Sequence, residues 1–584
     1  MESMLTLLMF FLLLSHYAFS PVSSDQQHPL DPLTPSEFSL VRTIVKKSYP
    51  SPNRNLTFQY ISLDEPDKPT IISWLSNPGS TSPPRRALVT IRLEKESQYI
   101  IVDLTANSII SDNVYLGHGY PLLTLDEQDA ASALPETYEP FIKSIEKRQL
   151  NLSDVICTTY TAGRRGGKYI VPVPKAEGTD YRASTQQPPF GPHPNGATFG
   201  QPDGPGFKID GHNIRHIGGC YTEDLCPSYL RLTWTQLRIG TTKPSSIVVN
   251  LASANLQYHS SPSPIALSIN AVFWDAYYAG EDGVPVNISN ALCSFERYAG
   301  NIMWRHTESE ISDEVIREVR AEVSLVVRMV AVVGNHDYII DWEFKPDGTI
   351  KLGVGLTGVL EVKGVTYTHT DDIREDVYGT LLANNTIGIY HDHFLTYYLD
   401  LDVDGEANSF VKNNLETIRT TIQSSPRKSY WTVVSETAKT EGEARIQLGL
   451  NQPELIVVNP NKKTKLKLGI MSDTIRGAFT NNNVWVTPYN KSEKWAGGAF
   501  VDQSRGEDTL AVWSLIRNRE IENKDIVLWY TIGFHHVPSQ DEFPVMPTLS
   551  GGFELRPNNF FESNPVLKTR APTLVPGPNC TTQG

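Results

Sequence analysis

The chain is short of several things, and each shortage removes a class of protein. Basic residues are in the minority, 51 Lys and Arg against 65 Asp and Glu, for a formal charge of −14. Such a surface repels phosphate backbones and attracts cations, so nucleic acid is not an expected partner. After the first twenty residues no apolar run is long enough to span a bilayer, so no membrane anchoring is expected. Internal repeats and low-complexity tracts are absent, and a 40% hydrophobic, 20% charged composition excludes disorder as the main state. Cysteines are few and odd in number: Cys157, Cys220, Cys226, Cys293 and Cys580. In an oxidising compartment an odd count leaves one free or paired between chains, and Cys580, near the end, suits the second role.

What is present is length for several domains, 584 residues, with 40 Gly and 40 Pro that favour turns over long bundled helices. An apolar run from Leu5 to Leu14, closed by small and polar residues at Ser20 to Ser24, has the form of a secretory signal over residues 1–24. Sequons at Asn55, Asn151, Asn287, Asn384, Asn490 and Asn579 agree with a glycosylated extracellular protein. Residues 25–120 read as a small α+β domain. Ser36 is its expected helix cap, ahead of Phe38, Leu40, Val41 and Ile44, with strands near Ala87–Leu93 and Tyr99–Leu104. A second α+β domain covers 121–225, with a helix near Tyr138–Leu150 and a Pro-rich connector at Gln186–Pro205. From about 226 to the end, short β-branched and aromatic runs separated by Gly, Asn and Pro predict a large antiparallel β-sandwich. The expected fold is therefore mainly β with two small α+β domains.

Three motifs bear on chemistry. Gly163-Arg-Arg-Gly-Gly-Lys168 has the wrong glycine spacing for a phosphate loop, and Tyr169 replaces the magnesium-holding hydroxyl. His391-Asp392-His393 lies in a strand pattern, where a period of two puts both imidazoles on one face. His535-His536 could add a third nitrogen, and three imidazoles suit copper or zinc without choosing between them. Asp400, Asp402 and Asp404 also alternate, but Val411 stands where a calcium loop needs Glu, leaving a strand-borne hard-cation site or a solvated acidic edge.

Longer runs then become specific: Val333-Gly-Asn-His-Asp-Tyr-Ile-Ile-Asp-Trp-Glu-Phe344, Ile387-Gly-Ile-Tyr-His-Asp-His-Phe394, Arg476-Gly-Ala-Phe-Thr480, Lys494-Trp-Ala-Gly-Gly498 and Gly533-Phe-His-His-Val-Pro538. Together they resemble the copper-containing amine oxidases, most closely the plant diamine oxidases, over nearly the whole mature chain. The resemblance implies a secreted homodimer in the apoplast or cell wall. It implies oxidation of small primary amines such as putrescine by O2 to aldehyde, ammonia and hydrogen peroxide. It implies copper held by His391, His393 and His536, and a second site for calcium or manganese at Asp400, Leu401, Asp402, Asp525 and Ile526, with carbonyls from Leu401 and Ile526. It also implies topaquinone made from a chain tyrosine, flanked here by Asn335 and Asp337, and an aspartate that removes the substrate's α-proton.

The sequence departs from that pattern in four places. The quinone-forming position of the family's Thr-x-x-Asn-Tyr-Asp/Glu run holds His336, with Val332 in place of Thr, and an imidazole cannot become a quinone. Tyr338 shares the face of His336 but is displaced by about 6–7 Å along a strand. The proton-abstracting Asp is not found, because residues 219–269 carry no family likeness. Read out of register, with the third base of each codon joined to the first two of the next, Pro244–Ala252 permits Phe-Phe-Asp-Cys-Gly-Glu-Phe-Gly and the stretch from Tyr221 permits another family-like run, so a frame shift across 219–269 is expected, and the partner that the resemblance implies for Cys293 would fall there. A passage is also missing between Leu468 and Ser472. Two functions follow: the inherited amine oxidase, or a catalytically inactive copper-binding homodimer in which His336 becomes a fourth nitrogen ligand.

Overall fold

The computed structural model describes residues 28–50, 55–77, 80–155, 157, 181–187, 207–210, 213–216, 229–233, 236–240, 248–252, 271–310, 314–333, 335–403, 405–422, 424, 426–447, 454–458, 478–558, 560–561 and 564–569. The leader, the Gly163–Lys168 run, most of the 186–205 connector, Asp404, the 468–472 junction and Cys220, Cys226 and Cys580 lie outside the described residues. Among those described, no helix is long and apolar enough to cross a membrane.

Helix α1 (Pro35–Ser48) opens the first unit. Its cap is Thr34 rather than Ser36: the Thr34 hydroxyl accepts from Glu37 N at 3.2 Å, and Glu37 Oε2 accepts from Thr34 N at 2.8 Å. Pro35 at the first helical position presets φ, and Glu37 three residues past the cap completes the reciprocal box, so the helix starts two residues earlier. Val41 and Val45 on its inner face pack on an antiparallel sheet of β1 (Leu56–Asp64), β2 (Arg86–Leu93), β3 (Glu96–Asp103) and β4 (Ser108–Val114). Helix α2 (Lys68–Ser76) lies in the β1–β2 connection. Helices α3 (Leu125–Ala133) and α4 (Glu139–Glu146) follow.

The rest is two large sheets face to face with small ones around them. Strands β5 (Phe207–Asp210), β6 (Asn213–His216), β7 (Tyr229–Thr233), β8 (Gln236–Gly240) and β9 (Val248–Ala252) all belong to one of these sheets. Strands β10 (Val272–Ala279), β11 (Pro285–Arg297), β14 (Ser324–Val333), β15 (His336–Phe344), β16 (Ile350–Val359) and β26 (Val545–Leu555) form the other, in that order. Strands β12 (Ile302–Glu308) and β13 (Ile316–Ala321) make a ribbon, and β17 (Val362–Gly364), β18 (Gly379–Ala383) and β19 (Thr386–Ile389) make a small sheet. β20 (His391–Asp402) is the inner strand of the first large sheet. β21 (Ser409–Arg419), β22 (Ser429–Ala438) and β23 (Glu454–Val458) form a three-stranded sheet. Strands β24 (Val484–Pro488) and β25 (Ile526–His536) complete the first large sheet, β25 pairing with β20. Short helices α5 (Glu441–Ala444) and α6 (Leu510–Arg517) sit near β24.

Alternation along each strand decides which residues enter the space between the sheets. From β15 come Tyr338, Ile340, Trp342 and Phe344; from β20, Leu395, Tyr397, Leu399 and Leu401; from β25, Ile526, Leu528, Tyr530, Ile532 and Phe534. On the other face of β15 stands Asp341, 8% exposed, bonded to Arg328 Nε at 2.7 Å and Arg297 Nη2 at 2.5 Å. Burial alone would raise the Asp341 carboxyl, but the two guanidiniums more than offset it and hold its pKa below the usual carboxylate value. The pair ties β15 to β14 and β11, which carry these arginines.

Asp341→Ala leaves two partly buried guanidiniums without their acceptor and is expected to cost about 3 kcal/mol. Denaturant unfolding at neutral pH checks this. Because the shift is downward, the native ion pair stabilises above the unfolded carboxyl's pKa and is lost as pH falls through the folded one, so the gap between wild type and variant should narrow in acid.

Candidate metal centre

Four imidazoles meet at one end of the sandwich. His391 and His393 begin β20, His536 ends β25, and His336 begins β15 in the opposite sheet. Register brings the first three together, because His391 pairs directly with His536 and His393 with Phe534. The same parity that sends Tyr397, Leu399 and Leu401 into the core sends His391 and His393 there. One ligand nitrogen from each of the four histidines lies within 4.8 Å of every other. His336, His393 and His536 are 5%, 6% and 3% exposed. Gly358, paired with His336, has φ +111°, and a Cβ there would fall 2.6 Å from Asn335 O, so glycine lets β16 close against the turn that presents His336.

The nitrogens facing away from the cluster are nearly all anchored. His391 Nδ1 donates to Ile389 O at 2.7 Å, leaving Nε2 bare. His536 Nε2 faces Glu542 Oε2 at 3.4 Å, leaving Nδ1 bare. These two bare nitrogens are 3.3 Å apart, two lone pairs pointed at each other, an arrangement that calls for a shared cation. His393 Nδ1 is 2.8 Å from the Tyr338 hydroxyl, while His393 Nε2 and His336 Nε2 are buried with no hydrogen-bond partner. Burial, reinforced by the neighbouring imidazoles, pushes His336 down to about 3 and His393 to about 4, and lowers His536. All three are neutral at pH 7, the state in which imidazole ligates metal. Four converging imidazole nitrogens, three of them on buried rings, fit copper; zinc shares the ligand type.

His535 takes no part: it lies on the opposite face of β25, exposed, with Nδ1 2.6 Å from Asp392 Oδ1. Asn335 spends its side-chain amide on Val359 O at 2.5 Å, and Asp337 lies on the face of β15 opposite the imidazoles, its carboxyl raised by burial. Tyr338 is the residue whose role the sequence did not disclose. The strand pattern puts it on the face of His336, but only the cross-sheet packing of β15 on β20 brings its hydroxyl to the far side of the His393 ring, away from the bare Nε2. That position orients a ligand and cannot replace a ring at position 336.

The carboxylates form a second cluster on the reverse face of the same strand. Asp400, Asp402 and Asp525 offer oxygens within 4.8 Å of one another. Leu401 and Ile526, between or beside them, bury their side chains in the sandwich core. Lys68 of α2 reaches into the trio, with Nζ 2.8 Å from Asp400 Oδ1, 3.0 Å from Asp402 Oδ1 and 2.8 Å from Asp525 Oδ1. Burial raises Asp525 to about 6, against the pull of Lys68, and raises Asp400 as well, helped by its like-charged neighbours; burial opposes the Lys68 charge, but the carboxylates raise its pKa. Cys293 is buried and unpaired, its thiol pushed up to about 12 by burial.

Tyr338→Phe removes the group that orients His393 and is expected to weaken copper binding by about 10- to 100-fold. Competition with a chelator of known affinity reads this directly, while an unchanged melting temperature of the metal-free protein would separate it from loss of fold.

The copper amine oxidase enzyme-domain profile matches residues 267–470 and 471–575, and the N2-domain profile matches 28–115. The break at 470 falls within Leu468–Ser472, where a missing passage is expected, and residues 116–266 lie outside both matches. An Arabidopsis thaliana protein named amine oxidase [copper-containing] alpha 3, peroxisomal, is 44% identical over 99% of this chain and 98% of its own. The primary amine oxidase of Pisum sativum is 42% identical over 99% and 98%. Among solved structures, a copper-containing benzylamine oxidase from Hansenula polymorpha superposes with a TM-score of 0.76 at 20% identity, covering 94% of this chain and 100% of its own, which speaks to the fold. The expectation of secretion to the apoplast or cell wall is overturned here: two relatives, 44% and 46% identical, are named peroxisomal. An apolar stretch of ten residues satisfies the hydrophobic requirement of a leader, but length and hydropathy do not determine which targeting machinery reads it. Matched along its enzyme domain and aligned end to end with plant relatives, the chain belongs to the copper amine oxidase family.

Proposed function

We propose that the chain binds one copper ion in the four-histidine cluster and that this centre serves the oxidation of small primary amines by O2 and water to aldehyde, ammonia and hydrogen peroxide. The observation that carries the metal half is the pair of bare, facing nitrogens of His391 and His536, with the orphaned Nε2 atoms of His393 and His336 beside them. His391 Nε2, His393 Nε2, His536 Nδ1 and His336 Nε2 would hold the ion, which supplies a one-electron redox couple when bound. Ile389 O, Tyr338 and Glu542 hold the ligand rings in orientation, and the hydrophobic sheet interface beneath limits water. The substrate class is carried over from relatives named primary amine oxidases.

Topaquinone does not fit these residues. Position 336 holds an imidazole with no phenol carbon to oxidise, and the phenol of Tyr338 lies behind a ligand rather than in that place. No step is therefore assigned to a quinone in this chain. A second reading, copper binding without amine turnover, rests on His336 and on the proton-abstracting aspartate not found in the sequence; the oxidase names of the aligned relatives favour the first. The acidic trio stands outside either reading, because an ammonium of the chain lies in it.

A homodimer is part of the proposal. The β21–β22 hairpin exposes Leu415, Ile418, Tyr430, Trp431, Val433 and Val434, an apolar arm with no partner surface inside the described protomer.

Two measurements test the proposal. Copper-loaded protein is expected to release hydrogen peroxide from putrescine or benzylamine, and its Cu(II) paramagnetic resonance to show four nitrogens, falling to three in His336→Ala; absence of peroxide with four nitrogens intact would select the second reading. Trp431→Asp with Leu415→Asp is expected to shift the light-scattering mass from dimer to monomer without loss of copper.

A further inference from the structure

A lysine stands where the family resemblance calls for a divalent cation. Lys68 is the first residue of α2, in the small N-terminal unit, yet its ammonium lies on the sandwich, 332 positions from Asp400 and 457 from Asp525. It is 13% exposed, and the carboxylates it meets are 2%, 9% and 26% exposed. An ammonium has three protons, and here each has a separate carboxylate at 2.8–3.0 Å. The Tyr489 ring lies 4.5 Å beneath the same nitrogen, a cation–π contact that adds to its hold.

A calcium ion binds oxygens at about 2.3–2.6 Å. An ion bound by these three oxygens would have to take the volume that Nζ occupies, so the two cations exclude each other. We propose that Lys68 is the resident cation of this site: its ammonium replaces calcium or manganese, and the cluster works as a covalently tethered latch between α2 and the reverse face of β20. The latch does not depend on the copper reading.

The position has a mechanical consequence. Asp400 and Asp402 close the same strand, β20, that His391 and His393 begin, on the opposite face, so whatever fixes the carboxylates restrains the strand that carries the histidines. In a metal-bound version of the site that restraint depends on a dissociable ion. Here it comes from the peptide chain and also docks the N-terminal unit, where a second contact, Lys491 Nζ to Asp64 Oδ1 at 2.8 Å, lies beside it.

The experiment uses the full-length, copper-loaded protein and Ca2+ alone as probe, since calcium prefers oxygen donors and leaves imidazoles to copper. Calorimetry and thermal melting are read with and without Ca2+ for wild type, Lys68→Met and Lys68→Arg. The expected result is no stoichiometric Ca2+ binding and no Ca2+ shift in melting for wild type. Lys68→Met should gain a Ca2+ site at least tenfold tighter than anything in wild type, with its melting temperature raised by Ca2+. Lys68→Arg keeps a cation in place and should behave as wild type, which guards against a Met variant that fails to fold. A wild-type protein that binds one Ca2+ per chain, with an affinity the substitutions leave unchanged, would overturn the proposal.

Discussion

The two-residue period of β20 is the constraint on which both sites depend. Its odd-numbered side chains enter the space between the sheets and its even-numbered ones leave it. One strand therefore supplies imidazoles to a buried metal centre and carboxylates to a cation site on its reverse, with Tyr397 and Leu399 packed between the two in sequence and Leu401 between the aspartates. A slip of one residue would exchange the faces and destroy both. Register against β25, His391 opposite His536 and Asp400 opposite Val527, is what the fold must maintain.

Packing of the sheets adds what the strand pair cannot supply. β20 and β25 bring three imidazoles to one place, but the fourth comes across the interface from β15, as does the phenol that holds His393. Apolar residues from β14, β15, β16 and β26 fill the same interface. The anchoring of β15 through Asp341, Arg297 and Arg328 lies on its outer face, so a charged cluster outside the core fixes a ligand within it. Exclusion of water keeps His336, His393 and His536 neutral, and it leaves two nitrogens without partners, a cost of about 1–3 kcal/mol for each unsatisfied group that a bound ion removes.

His336 changes what such a centre can do. The family resemblance predicts a phenol there that becomes an organic cofactor; this chain offers a nitrogen donor at the same place, buried and aimed at the ligand cluster. The exchange enlarges the donor set for copper while removing the precursor of the quinone. Lys68 is a comparable exchange at the other cluster, a side-chain cation where a free ion is implied. In both places the chain substitutes its own group for something the family otherwise makes or binds.

The fold class and the shared face of His391 and His393 were legible in the sequence because both follow from short periods: strand alternation, turn residues, and two histidines spaced by one. Asp400 and Asp402 were legible for the same reason. The helix cap at Thr34 was misplaced because Ser36 satisfies the residue preference, whereas the reciprocal bond with Glu37 and the proline between them favour the earlier position. Secretion was read from a hydropathy pattern that does not carry an address. Tyr338 as an orienter of His393, the approach of His336 across the sheet interface, and Lys68 inside the carboxylate trio were decided by tertiary structure. Each is a contact between strands or units far apart in the chain, set by register and sheet packing, and no local period in the sequence encodes how one face will meet another.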